Sequence, residues 1–274
     1  IRFTGRNIRF YNAGSSEGFG DTGGSKADEE TPFRPRSPYA VAKASAHWIV
    51  ANYREAYDLF ACTGILFNHE SPLRPERFVT GKIIAAACQI AAGSKEQLQL
   101  GNMDIYRDWG WAPEYVKAMY LMLQQEKPQD YVIATGTSRL LLDFVALAFQ
   151  EVGLKWHDHV VSVPTLLRPA DIRKGCGNPG KAKQELGWQA GFALEDVVRE
   201  MVRAGREKYP RWIGSVPYFV FSDYVGRLVS SRQFRRVRRL ETSRPTVLRR
   251  SLAHRGGLTA SMQLVIRSRS VSRR

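Results

Sequence analysis

Ile8-Arg9-Phe10-Tyr11-Asn12-Ala13-Gly14-Ser15-Ser16-Glu17-Gly18, followed by Ser37-Pro38-Tyr39-Ala40-Val41-Ala42-Lys43, decides the fold of this 274-residue chain. Ile8–Ala13 reads as a short strand, and Gly14–Gly18 as the turn at its C-terminal end. Ser37 is placed to cap free amides, and Pro38 suits the first helical position. Ala40, Ala42, Ala44 and Ala46 favour helix, so a helix is expected over residues 38–57. Strand, polar turn and capped helix make a βα unit. In open α/β sheets, ligands bind outside the carboxyl ends of the strands.

The polar residues of this unit carry chemistry. Positions i and i+4 share a helix face, so the ammonium of Lys43 is expected near the phenol of Tyr39. A free tyrosine is a poor base near neutrality, and a nearby cation favours the phenolate form. A general base works best when its pKa lies near the working pH. Ser15 adds a hydroxyl and Glu17 a carboxylate at the strand end. Together these groups suit taking a proton from a sugar hydroxyl while a hydride passes to a nicotinamide. A Y-x-x-x-K spacing alone arises by chance, and Glu17 alone would read as a solvated turn residue. Their combination carries the reading.

Outward from this unit, apolar runs of strand length alternate with helical patterns. Phe60–Phe67 reads as a strand buried on both faces. Phe78–Ala92 reads as a helix, Leu98–Leu100 as a strand, and Pro113–Gln125 as a helix with Tyr115, Met119 and Met122 on one side. Tyr131–Ala134 reads as a strand and Leu140–Val152 as a helix closed by Gly153. Pro179–Leu186 and Leu194–Lys208 read as two more helices. The alternation predicts an α/β fold. Trp109 and Trp111, beside Arg107, suit either stacking on a base or packing in the core. His157 and His159 have no third ligand nearby, so no metal site is expected.

Charge is unevenly placed. Residues 211–274 carry 15 arginines, no lysine, one aspartate and one glutamate, a net of +13, and residues 1–210 hold only +2 of the overall +15. The first region is expected to be the enzyme-like one. The basic Arg/Ser-rich run at 211–274 is expected to be disordered, or an extension of lineage or reading-frame origin. Such runs neutralise nucleic-acid phosphates, but no aromatic stacking pattern or known module accompanies the arginines. Cys62, Cys88 and Cys176 form no C-x-x-C pair, which fits a reducing cytoplasm. No apolar run of membrane-spanning length is present, so no membrane association is expected.

The pattern Ser15-x-Glu17 … Tyr39-x-x-x-Lys43 resembles the extended short-chain dehydrogenase/reductases. Phe67-Asn68-His69-Glu70-Ser71-Pro72-Leu73-Arg74, Phe78-Val79-Thr80-Gly81-Lys82, Arg107-Asp108-Trp109-Gly110 and Tyr131-Val132-Ile133-Ala134-Thr135-Gly136 narrow the resemblance to the GDP-mannose 4,6-dehydratases. The resemblance runs from about Ile1 to Tyr209. It implies a partial Rossmann-type parallel sheet with a smaller α/β substrate-binding domain. No G-x-x-G-x-x-G turn occurs in the chain, so the first strands of the nucleotide-binding half are expected to be missing by N-terminal truncation.

The resemblance also implies roles. Ser15, Glu17, Tyr39 and Lys43 would be catalytic; Tyr39, Lys43, His69 and Arg74 would contact NADP; Asn68, Val79, Lys82, Arg107, Arg168 and Asp171 would bind GDP-mannose. Arginine suits phosphate because its planar fork bonds bidentately. Asp171 stands where the family carries Glu, Gly81 where Arg is expected, and Gly14 where Ser is expected. The implied reaction is dehydration to the 4-keto-6-deoxy sugar, with the cofactor recycled. A homodimer or homotetramer is implied. Two alternatives stay open: another nucleotide-sugar epimerase or reductase, and a non-catalytic fragment whose basic tail binds nucleic acid.

Overall fold

Helix α1 (Pro38–Tyr57) starts where the sequence sets it, because the Ser37 hydroxyl accepts a hydrogen bond from the Ala40 amide at 3.0 Å. Its buried residues Ala40, Ala44, Val50 and Ala51 lie along one face. Three of the four are alanines, which lets the helix approach the sheet closely. It ends at Asp58, whose left-handed backbone (φ 47°) stops the helical turn. In its last turn, Arg54 grips Asp130 with two 2.8 Å bonds and also donates to the Ala61 carbonyl.

A computed structural model describes residues 1, 5–166 and 172–209, together with the backbone of 264–267. Its strands are β1 (Ile8–Ser15), β2 (Ala61–Leu66), β3 (Asn68–Glu70), β4 (Leu98–Leu100), β5 (Tyr106–Arg107), β6 (Trp109–Trp111), β7 (Tyr131–Ile133), β8 (Arg139–Leu140), β9 (Val160–Ser162) and β10 (Leu264–Arg267). The further helices are α2 (Val79–Ala91), α3 (Ala112–Met122), α4 (Leu141–Glu151), α5 (Gly180–Leu186) and α6 (Leu194–Lys208).

The main sheet has the order β10-β1-β2-β7. β1, β2 and β7 are parallel, with Asn12 opposite Thr63 and Ile65 opposite Val132. Every residue of β2 is buried, as its unbroken apolar run predicts for a strand covered on both faces. β3 pairs with β6, β4 with β9 and β5 with β8 as short two-stranded sheets. Two apolar cores result. One joins β1, β2 and β7 to α3 and α5 through Tyr11, Tyr115, Met122, Tyr131 and Leu186. The other joins α2, α4 and α6 through Ile83, Phe144, Phe149, Val197 and Val198. Burying each large aliphatic, Met or Phe side chain of these sets contributes about 1.5–3 kcal/mol.

The expected helices and strands appear within a few residues of their predicted bounds. β1 runs two residues further than expected, through Ser15, because Gly14 and Ser15 stay paired with Ile65 and Leu66. The sequence reading does not resolve β3, β5, β6, β8 and β9, which are two or three residues long and carry too few alternations to show a period. One further difference lies in the basic run. Leu264–Arg267 forms a strand antiparallel to the edge of β1, where disorder is expected. Leu264, Val265 and Ile266 favour strand, and an edge strand offers unpaired backbone groups. The remaining residues of that run lie outside the described ones. Among the described residues, no helix is long and apolar enough to cross a membrane.

Candidate active site

The carboxyl end of β1 turns directly into a single 3-10 turn, Ser16–Phe19. The Ser15 hydroxyl caps it by accepting from the Glu17 amide at 3.3 Å. Helix α1 packs on both β1 and this turn. Lys43 on α1 donates to the Ala13 carbonyl at 2.9 Å, and its ammonium lies 5.8 Å from the centre of the Tyr39 ring. The spacing of four thus brings the cation to the phenol, as expected. Tyr39 itself is 53% exposed at the first turn of α1. Partial burial pushes the pKa of Lys43 down from its ordinary value.

Beside the turn lies a small, partly open cleft. Glu17, Asn68 and Arg107 line it, with Phe19 and Phe67 among its apolar residues. These three polar residues come from β1's terminal turn, β3 and β5, so the tertiary fold alone unites them. Tyr39 is not among the lining residues. Arg107 reaches the cleft by donating through Nη1 to the carbonyls of Tyr106 at 2.9 Å and Ile172 at 2.6 Å. Its neighbour Asp108 is buried and accepts from the Thr135 amide and hydroxyl and from the amides of Gly136 and Gly177. That hub fixes the strand end from which Arg107 projects.

His69 lies stacked on Tyr115, with ring centres 4.8 Å apart, and its Nδ1 is 2.8 Å from the Phe67 carbonyl. A carbonyl only accepts, so Nδ1 carries the proton and Nε2 presents a lone pair. Burial pushes the His69 pKa down, which favours this neutral form. Arg74, expected on the cofactor side, is paired with the neighbouring Glu70. It donates to Glu70 at 2.7 and 3.2 Å and to the His69 carbonyl at 2.6 Å, and Thr80 completes the buried Glu70 carboxylate at 2.8 Å. Desolvation raises the Glu70 pKa, and the Arg74 and Thr80 contacts oppose that rise. A carboxylate 2% exposed requires such partners, and Arg74 supplies its Nε and Nη2 groups to it.

Val79 is exposed at the start of α2, and Lys82 in the same turn donates to the Gln99 carbonyl at 2.7 Å. Neither lines the cleft. Arg168 and Asp171 lie outside the described residues. At Gly81 and Gly14, which stand where Arg and Ser are expected, the present packing leaves little room for a Cβ. A Cβ at Gly81 would lie 2.5 Å from the Pro75 carbonyl oxygen, and one at Gly14 would lie 2.7 Å from the Thr63 methyl group. Trp109 packs on Phe144 and Trp111 stacks on Phe192, so both tryptophans belong to the core. His157 stacks on Trp156 and His159 on Phe149. The cleft wall also contains Thr22, Gly175 and Cys176, which the sequence reading does not single out. Their segments meet through an isolated bridge between Ala27 and Gly177, a pairing without local sequence signal.

The arrangement is that of a Rossmann-type α/β protein with a polar cleft at the carboxyl ends of its parallel strands. Solved structures share this fold. RMD from Pseudomonas aeruginosa, complexed with NADPH, superposes with a TM-score of 0.70 at 18% identity, covering 76% of this chain and 69% of that one. A dTDP-glucose 4,6-dehydratase from Bacillus anthracis, in complex with NAD, gives 0.66 at 23% identity, covering 74% and 63%. The chain belongs to the GDP-mannose 4,6 dehydratase family, whose sequence profile matches residues 1–201. GDP-mannose 4,6 dehydratase 1 of Arabidopsis thaliana is 52% identical over 198 residues, which are 72% of this chain and 55% of that protein. GDP-mannose 4,6-dehydratase of Sinorhizobium fredii is 48% identical over 222 residues, 74% of this chain and 63% of that protein. The chain therefore spans little more than half the length of such relatives.

Proposed function

We propose that this chain carries the sugar-binding and proton-transfer part of a GDP-mannose 4,6-dehydratase. One observation carries the reading: Glu17, Asn68 and Arg107 converge on one cleft beside the helix that holds Tyr39 and Lys43. Family membership supports the substrate, GDP-mannose. An exposed phenol and a half-buried ammonium on one helix form a donor set that fits the nicotinamide and ribose end of a dinucleotide, with NADP as the cofactor. Tyr39, Lys43 and His69 would hold that end. The buried pair with Glu70 leaves Arg74 a supporting role, fixing the backbone carbonyl of His69.

The chain's own residues divide the work. Tyr39 takes the proton of the C4 hydroxyl, with the Lys43 ammonium beside its ring. The chemistry a bound nicotinamide supplies is hydride uptake from C4 and return at C6. The C4 ketone acidifies the C5 proton, which Glu17 removes as the C6 hydroxyl leaves as water. Ser15 holds the sugar and relays protons. Arg107 pairs with a phosphate. Glu17 favours dehydration over simple 4-epimerisation, because only the former needs an acid/base at C5.

Two substitutions, placed in the full-length protein, test this reading. Tyr39→Phe should abolish formation of the 4-keto-6-deoxy sugar. Glu17→Gln should spare GDP-mannose binding but stop solvent deuterium entering C5. Normal product formation by the first, or normal deuterium incorporation by the second, removes the assigned role.

A further inference from the structure

We propose that Lys26 and Lys174, together with Arg107, form a cationic rim that binds the pyrophosphate of the nucleotide sugar. The proposal rests on the reading above and adds two residues to that same cleft. Lys26 precedes Ala27, whose amide donates to the Cys176 carbonyl at 2.9 Å and whose carbonyl accepts from the Asn178 amide at 2.7 Å. That bridge zips the loop after Phe19 to the segment around Cys176. Lys174 sits in a second bridge, to Tyr106. There the Tyr106 amide donates to the Arg173 carbonyl at 2.8 Å, and the Gly175 amide donates to the Tyr106 carbonyl at 3.0 Å. Arg107 is the next residue along β5. Three cationic side chains from three separate segments are therefore fastened to one rim.

Contacts confirm how close these segments lie. A Cβ at Gly24 would be 3.7 Å from the Lys174 side chain, and one at Gly175 would be 3.9 Å from that of Arg107. The charges of Lys26 and Lys174 both act on the Cys176 thiol, which lines the cleft. Both lysines are exposed, and neither forms an ion pair with a described residue. The same loop also carries Asp21, Asp28, Glu29 and Glu30, and three of these acids accept hydrogen bonds. Asp21 accepts from the Gly23 amide at 3.0 Å, Asp28 from the Thr31 hydroxyl at 2.8 Å, and Glu29 from the Val132 amide at 2.7 Å. The three cations thus stand at the mouth of a cleft that Glu17 lines. A pyrophosphate is the part of a nucleotide sugar that such cations recognise. The dinucleotide cofactor carries the same group. The nucleotide sugar is favoured because Glu17, the sugar-directed carboxylate, lines this cleft.

Calorimetric titration of the 274-residue chain and its Lys26→Gln/Lys174→Gln variant with GDP, guanosine and NADP tests the proposal. Both lysines are exposed, so thermal unfolding should be unchanged. GDP affinity should fall about tenfold, the equivalent of one modest charge contact, with guanosine affinity the same in both chains. Equal GDP affinity in the two chains overturns the rim while leaving the dehydratase reading in place. Selective weakening of NADP reassigns the rim to the cofactor and overturns the proposal. Failure of the unmodified chain to bind GDP at all overturns the dehydratase reading, and the rim with it.

Discussion

The Lys43 ammonium donates to the carbonyl of Ala13, 30 residues earlier, and so ties the first turns of α1 to strand β1 two residues before Ser15. One bond therefore sets both the tilt of the helix and the position of its cation relative to Tyr39. Lys43→Met keeps the stem and removes the charge. It should cost about 0.5–1.5 kcal/mol of stability, the usual net value of one hydrogen bond. It should slow dehydration by the full-length protein about 100-fold or more, as loss of acid–base assistance does. Denaturant unfolding and keto-sugar formation read the two effects separately. Unimpaired turnover would remove Lys43 from the chemistry and leave it a purely architectural bond.

The Glu70–Arg74–Thr80 cluster makes a prediction about stability. Arg74→Ala leaves a carboxylate buried without its cation and should destabilise by about 3–5 kcal/mol. Thr80→Val removes a single neutral donor and should cost about 1–3 kcal/mol. Urea unfolding of both variants gives the order. A smaller loss for Arg74→Ala than for Thr80→Val would show that solvent reaches Glu70.

His69 should make stability depend on pH. In the unfolded chain its imidazole takes up a proton near pH 6.5. Burial lowers the folded pKa, so the native state binds that proton less readily. The contribution of His69 is therefore complete above about pH 6.5 and is lost as pH falls from there through the lowered folded value. His47, half-buried and shifted down, acts with the same sign. His69→Phe keeps a ring against Tyr115 but cannot titrate. Unfolding free energies followed from about pH 8 to about pH 5 should converge for the two proteins. Parallel lines would mean that the imidazole is protonated equally in both states.

Helix α1 presents Val41, Trp48, Ile49, Tyr53 and Tyr57 to solvent, with Trp48 62% exposed. Contiguous apolar surface of this kind marks an interaction face. The family resemblance implies a homo-oligomer, and this face is the one to test for it. Trp48→Arg should convert an oligomer to monomer by light scattering without lowering the unfolding temperature of the monomer. An unchanged oligomeric mass would place the interface elsewhere.

Much of the fold is legible locally. Ser37 and Pro38 announce α1, the apolar run of β2 announces a strand covered on both faces, and Gly153 marks the end of α4. Each signal acts within a few residues of itself, so reading along the chain suffices. The two- and three-residue strands escape because pairing, rather than composition, defines them. The same holds for Trp109 and Trp111, whose burial follows from Phe144 and Phe192 more than 30 residues away. Arg74 shows the limit most clearly. Its resemblance-based role is on the cofactor side, and only the packing that buries Glu70 shows that it also pairs with a carboxylate.

By itself the sequence determined where the candidate reactive groups stand: the Tyr39–Lys43 spacing, Ser15 and Glu17 at a strand end, and the α/β alternation that puts strand ends together. Helical and strand periodicities are local properties, so they can be read without the fold. Only the tertiary structure decided that Glu17, Asn68 and Arg107 share a cleft and that Lys82 and Arg74 stand apart from it. It alone brought the loop of Lys26 against Cys176. Those outcomes depend on backbone bridges between distant segments and on the cost of burying charge. Neither is written in any short stretch of residues.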